Sequence, residues 1–311
     1  MNQAAATQSL EVLETSDFDV FRERLRPNAD LSKTNWFGVG GPAQWLFRPH
    51  DTDELAAFLS LLPLSIPVTV LGVGSNVIVR DGGIDGVVIK LGRGFAGVDA
   101  LPGHKVVVGA ATLALNAALF ACEEEIAGLE FLSGIPGTIG GVLRMNGGAY
   151  GNDASQVLIE AEIVERSGMR KQLTNEQMQF EYRSSGVPEG AIITQATMQG
   201  TAGKREEIAD RIRSITEERE TTQPVRTRTG GSTFKNPPNQ KAWELIDRAG
   251  CRGLTIGGAQ ISEKHCNFMI NVGGATAQDL ETLGEEVRKR VKEVTNVSLE
   301  WEIKRIGKKK A

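Results

Sequence analysis

Cysteine is scarce in this sequence: its 311 residues include only Cys122, Cys251 and Cys266. The number is odd and no pair has C-x-x-C spacing, which argues against a disulfide framework or a zinc or redox motif and points to a reducing compartment. Histidine is equally sparse, with only His50, His104 and His265, and no metal-ligand set stands out. No apolar run approaches the ~20 residues that span a bilayer. The stretch Met1 to Gln8 has neither the basic nor the apolar region of a secretory signal. Positive charge is not in excess either: 35 Lys and Arg face 39 Asp and Glu, a net charge of −4, so no global field is available to hold nucleic acid. The one basic cluster, Lys304, Arg305 and Lys308 to Lys310, reads as a solvated tail. These absences predict a cytoplasmic globular protein with no membrane or nucleic-acid partner and no bound metal.

Glycine, by contrast, is abundant, with 36 residues against a usual share of ~7%, and it is clustered. Chain length suggests about two domains. Residues 1–17 lack strong periodicity and are expected to be unstructured. Asp51 and Glu54 before Leu55, Phe58 and Leu59 predict a capping box on an amphipathic helix. The runs Val68 to Leu71, Val77 to Val79 and Val87 to Ile89 predict short strands. Leu115, Ala118, Leu119 and Cys122 have helical spacing. So do Ile208, Ile212 and Ile215 across Lys204 to Arg219, and Leu280, Leu283, Val287, Val291 and Val294 further on. Ile192 to Thr194 reads as a strand, and Val297 to Ile306 as a closing one.

Three glycine motifs carry the chemistry. In Gly72-Val73-Gly74-Ser75-Asn76 the chain runs from one strand into the next, whereas a Rossmann fingerprint would add a third glycine and open a helix. The segment can form an anion-binding nest of backbone N–H groups with Ser75 and Asn76 as further donors, or simply a tight turn. Gly134-Ile135-Pro136-Gly137-Thr138-Ile139-Gly140-Gly141, followed by Asn146, Gly148 and Ala149, lacks the lysine of a phosphate-transferring P-loop. So many glycines suit a main chain lying against a large flat ligand and its diphosphate. Gly231-Ser232-Thr233-Phe234-Lys235-Asn236 sets a hydroxyl, a cation and an amide close together. No histidine lies near Ser232 in sequence, which disfavours a nucleophilic serine and leaves a proton-donating one or an exposed polar turn.

In order along the chain, these segments resemble the UDP-N-acetylenolpyruvoylglucosamine reductases of bacterial peptidoglycan precursor synthesis, from Trp36 to Gly307. The likeness rests on Trp36-Phe37 with Val39 to Ala43, Leu71 to Val77, Gly134 to Gly141 with Met145-Asn146 and Gly148 to Gly151, and Tyr182 to Ser185. It continues through Gln223-Pro224, Gly231 to Pro237, Ser262 to His265 with Asn267-Phe268, and Leu299 to Glu302. The short span from Tyr182 to Ser232 is similar to the family's second type, which lacks an extra tyrosine-bearing substrate loop. Gly38, where Arg is common, and Gly147, where Ala is usual, depart from the pattern.

The resemblance implies an α+β protein with a vanillyl-alcohol-oxidase-type FAD-binding fold: two α+β subdomains, 18–92 and 93–203, and a C-terminal α+β substrate-binding domain, 204–311. It implies NADPH as hydride donor, FAD as carrier and UDP-N-acetylglucosamine enolpyruvate as substrate, in a protein expected to be a monomer. FAD would be held non-covalently by Gly72, Gly74, Ser75, Asn76, Gly134, Gly137, Thr138, Gly140, Gly141, Asn146, Gly148 and Ala149, since neither of the first two motifs contains a Cys or His for a covalent link. By motif position Arg183 would meet developing carboxylate charge, Glu302 would orient or balance the same group, and Ser232 would donate a proton. Alternation alone puts Glu300 and Glu302 on one face. Lys235 and Asn236 would contact the nucleotide diphosphate. Two other readings of the same residues are an FAD-linked sugar or alcohol oxidase and a non-catalytic nucleotide-sugar binding protein.

Overall fold

The computed structural model describes residues 11–310, and these form an α+β fold. The chain packs into two compact units. The first takes residues up to Pro27, Trp45–Gly72 and Gly86–Glu217; the second takes Asn28–Gln44, Val73–Asp85 and the chain from Glu218 onward.

In the first unit a five-stranded antiparallel sheet runs in the order Arg170–Thr174, Leu158–Val164, Ile192–Gln199, Lys105–Gly109 and Val98–Leu101. The helix Ala114–Glu123 packs on the turn Glu130–Gly134 with Ala114, Ala117, Ala118, Ala121 and Cys122 buried. Leu115 and Leu119, which the helical spacing would bury, face outward instead. The alanine face wins because small side chains let the helix approach closely, and close approach recovers dispersion contacts over the whole interface.

A second core in this unit gathers Phe18, Phe21, Phe47 and Phe58, with the Phe47 and Phe58 rings stacked at 3.9 Å. Residues 1–10 of the segment expected to be unstructured lie outside the described residues. From Glu11 the chain forms short 3-10 helices, Glu11–Glu14 and Ser16–Arg24, and buries Leu13 completely. Apolar anchors at Leu13, Phe18 and Phe21 hold it there. The helix Thr52–Leu61 has the expected cap, Asp51 accepting from the Glu54 N–H at 2.8 Å. The return half of the box is redirected: the Glu54 carboxylate accepts from the His50 N–H and from Arg24 Nε.

The second unit has a four-stranded antiparallel sheet, Arg228–Ser232, Phe268–Asn271, Ala259–Ile261 and Thr255–Ile256. The helices Ala242–Arg248 and Ala277–Thr295 share its core. The longer helix opens on a capping box between Thr276 and Asp279 and closes on Asn296 in the left-handed conformation. Leu280, Leu283, Val287 and Val291 are buried; Val294 is exposed, because the helix ends one residue later and its last turn leaves the core. The expected closing strand shrinks to Lys304–Ile306, parallel to Val77–Val79, preceded by an isolated bridge between Trp301 and Phe234.

Gly284 sits in the middle of the long helix, and a Cβ there would fall well inside contact distance of the Trp301 ring. In an open helix position Gly→Ala gains ~1 kcal/mol. Here the clash outweighs that gain, and Gly284→Ala is expected to lower stability by about 1–3 kcal/mol, read from urea midpoints. A stabilised variant would show that the indole yields freely.

Candidate active site

The first two glycine motifs meet. A Cβ added to Gly72 would lie 2.9 Å from Thr138 Oγ1, and one added to Gly141 would find only the same hydroxyl, at 3.7 Å. Thr138 is buried and precedes the helix Ile139–Arg144, and Gly137 has φ +141. Lys90 Nζ donates to the Gly72 carbonyl at 2.7 Å and fixes the start of the first motif. A threonine hydroxyl between two residues without side chains makes a narrow, main-chain-walled surface at a helix start, which fits the diphosphate of a dinucleotide cofactor.

Other glycines of the second motif have reasons inside the protein. A Cβ at Gly134 would press on the Tyr150 ring and on the Ala149 methyl; at Gly140 on Ala110; at Gly148 on Asp153. Asn146 is buried with its amide engaged at both ends, accepting from the Ser155 N–H and donating to the Glu181 carbonyl.

Arg183 lies in this first unit too, in a tight turn closed by the Glu181–Ser184 bridge, with φ +59 and its guanidinium 5.0 Å from the centre of the Tyr182 ring.

In the second unit, three segments distant in sequence converge. Thr233, fully buried beside Ser232, donates its N–H to Asn267 O at 2.7 Å, and its own carbonyl accepts from the Glu302 N–H at 2.8 Å. Asn76 accepts at its carbonyl from the Lys304 N–H, and its Nδ2 donates to Glu302 O at 3.4 Å. Gly231 has φ +75, and a Cβ there would meet only Ser75 O, at 3.9 Å. Gly74 has φ +70 and packs on Asn35, so no larger residue fits. Ser232 and Glu302 are both half-buried, on segments joined by main-chain bonds from the Glu302 N–H to the Thr233 carbonyl and from the Lys235 N–H to the Glu300 carbonyl.

The two glutamates of the last segment differ. Glu300 is exposed and its carboxylate pairs with Lys235 at 3.4 Å. Glu302 is less exposed and is bonded next to Ser232, a distinction hidden from strand alternation because both glutamates precede the strand, which begins only at Lys304. Asn236 accepts from the Ala242 N–H at 2.9 Å and thereby holds the start of the next helix. Thr233 and Asn267 were not singled out by the sequence reading. Asn267 clamps Phe234 through both ends of its amide, accepting its N–H at 3.0 Å and donating to its carbonyl at 2.8 Å. The only sequence trace of this role is its place after Ser262 to His265. Beside Gly38 lies the Arg228 side chain, its Cδ 3.4 Å from where a Cβ would be.

His265 accepts from the Asn267 N–H at Nδ1, 3.2 Å, and packs edge-on against Phe268. Burial pushes its pKa below the ordinary 6.5. The folded imidazole stays neutral where the unfolded one takes a proton, so this contribution is complete above ~6.5 and is lost as pH falls from there towards the folded pKa. Wild type should lose stability relative to His265→Gln over that range, with a constant difference above it, as read from urea midpoints. Parallel curves throughout would show that burial does not shift this group.

A cavity of about 620 Å³ in the second unit is lined by Gln223, Arg226, Gln260 and Lys264 among others, and by none of the candidate residues. Among the described residues no group of three or more His, Cys, Asp or Glu is placed to hold a metal ion, and no helix is long and apolar enough to cross a membrane.

Residues 223–306 match the family described as UDP-N-acetylenolpyruvoylglucosamine reductase, C-terminal domain, and residues 43–174 match an FAD binding domain. The UDP-N-acetylenolpyruvoylglucosamine reductase of Parvibaculum lavamentivorans is 56% identical over 289 residues, 93% of each chain. The chain belongs to the UDP-N-acetylenolpyruvoylglucosamine reductase family. The reductase of Gluconobacter oxydans is 54% identical over 95% of this chain and 97% of its own. The crystal structure of the UDP-N-acetylenolpyruvylglucosamine reductase of Thermus caldophilus superposes with a TM-score of 0.79 at 35% identity, covering 90% of this chain and 99% of that one.

Proposed function

We propose that this protein reduces the enolpyruvyl ether of UDP-N-acetylglucosamine enolpyruvate to the lactyl ether of UDP-N-acetylmuramate, with NADPH as electron source and FAD as carrier. The observation that carries the reading is the main-chain bond from the Glu302 N–H to the carbonyl of Thr233, which brings Glu302 beside Ser232, in a chain of this family. It acts as a cytoplasmic monomer, in the synthesis of peptidoglycan precursors. Cofactor contacts fall to 18–92 and 93–203, and the substrate's nucleotide to 204–311.

FAD, when bound, supplies hydride chemistry. Gly72, Gly137, Thr138 and Gly141 would hold its diphosphate through main-chain and hydroxyl groups, and Gly74, Ser75 and Asn76 would be further contacts to the cofactor. The protein's own task begins when hydride reaches the terminal vinyl carbon and negative charge builds towards the carboxylate as an enolate. Arg183 meets that charge with a guanidinium already in place, and Glu302 orients the same end of the substrate. The Ser232 hydroxyl then gives its proton to the carbon next to the carboxylate. Lys235 contacts the diphosphate by exchanging its exposed partner Glu300 for a stronger anion.

Under anaerobic conditions, flavin in the purified protein should bleach with NADPH and recolour on adding the enolpyruvyl nucleotide sugar. Recolouring by dioxygen with turnover of a free sugar or alcohol, and none by the nucleotide sugar, would make it an oxidase. Because the proposed contacts are non-covalent, acid or heat denaturation should leave all flavin in the supernatant. Flavin in the pellet would refute that attachment.

A further inference from the structure

Arg183 is carried on a turn at the surface: Glu181, Tyr182 and Ser184 are exposed, and the turn closes on itself through the Glu181–Ser184 bridge. Hydrogen bonds at both of its ends fasten it to the protein. At one end Asn146 Nδ2 donates to the Glu181 carbonyl at 3.2 Å; at the other Ser185 Oγ donates to the Arg144 carbonyl at 3.0 Å. Both anchor points lie at the close of the helix Ile139–Arg144, whose start carries Thr138 and the second glycine motif.

Asn146 is built for this task. It is buried, it adopts φ +40, a left-handed conformation that asparagine tolerates better than most residues, and its Oδ1 accepts from the Ser155 N–H at 3.0 Å. That second bond fixes which way the amide faces, so the NH₂ group is aimed at Glu181. A buried donor satisfied this way is costly to leave unmade.

We infer that Asn146 is a positioning residue for Arg183, holding the arginine turn in register with the glycine motif, and not a contact to the flavin. The inference rests on the reading of Arg183 given above. Displacing a charged group by about 1 Å from its working position costs on the order of 10²-fold in rate, so a single anchoring amide is enough to matter.

Asn146→Asp tests this with little change of shape: the carboxylate still accepts from Ser155 and no longer donates to Glu181. Flavin content and the rate of flavin reduction by NADPH should stay within twofold of wild type. Flavin oxidation by the enolpyruvyl substrate should slow at least tenfold, and Arg183→Ala should add far less in this background than in wild type. Independently of activity, backbone amides of residues 181–185 should exchange hydrogen faster in the flavin-free variant. Loss of flavin from a folded variant would make Asn146 a cofactor ligand, and unchanged exchange with unchanged substrate oxidation would leave it no positioning role; either overturns the inference. Should the variant not fold, Ser185→Ala breaks the other tie, and the same half-reaction should slow with the same faster exchange; no change in either overturns it. If Arg183→Ala in the wild-type background slows both half-reactions alike, the reading of Arg183 fails, and the exchange data alone then judge the anchoring by Asn146.

Discussion

Ser232→Ala should leave flavin reduction by NADPH near the wild-type rate and slow flavin oxidation by the enolpyruvyl substrate by about 10²- to 10⁴-fold, the usual cost of losing a positioned proton donor. Loss of a merely binding hydroxyl costs only about 1 kcal/mol, less than tenfold, so the magnitude separates the two roles. The scaffold should survive, because the neighbouring strand is held by main-chain bonds at Thr233 and by the Asn267 clamp on Phe234, none of which uses the Ser232 hydroxyl. Stopped-flow traces of the two half-reactions decide it. A variant that binds substrate weakly but turns over normally at saturation would reduce Ser232 to a binding group.

Arg183→Ala is expected to slow the same half-reaction by about 10²- to 10³-fold, the scale for removing one preorganised donor to developing negative charge. That charge exists only once hydride has reached the substrate, so flavin reduction by NADPH should be spared. The left-handed backbone at this position, φ +59, burdens alanine no more than arginine, so the fold should be retained. Arg183→Lys should recover part of the loss, since it keeps the charge and gives up the planar fork. Equal slowing of both half-reactions would move Arg183 out of the chemistry.

Local signals were legible in the sequence wherever three or four residues decide the outcome. The Asp51 cap on Glu54 and the buried stripes Ile208, Ile212, Ile215 and Leu280 to Val291 follow from helical spacing alone, and all are present. The ordered motifs sufficed for the family, its FAD-binding domain and the α+β class. Spacing could not say which face of a helix would be chosen when a neighbour could come close. Hence the Ala114 to Cys122 face is buried and Leu115 and Leu119 are not. Nor could it predict that the closing strand begins only at Lys304, which leaves Glu300 and Glu302 outside it in different surroundings.

The candidate site divides in the same way. Residue types that suit a diphosphate and an enolate could be read from glycine, hydroxyl and guanidinium chemistry. Which glycines answer to packing within the chain could be read only from contacts: Gly134 to Tyr150, Gly140 to Ala110, Gly148 to Asp153. The bond between Glu302 and Thr233, next to Ser232, and that between Asn146 and the Arg183 turn join segments whose separation leaves no period in the sequence. Short-range structure is set by the chain's own geometry, whereas long-range pairing is set by which surfaces pack when the core closes. Composition and motif order therefore determined what kind of protein this is, and only the tertiary structure decided which side chains hold the others in place.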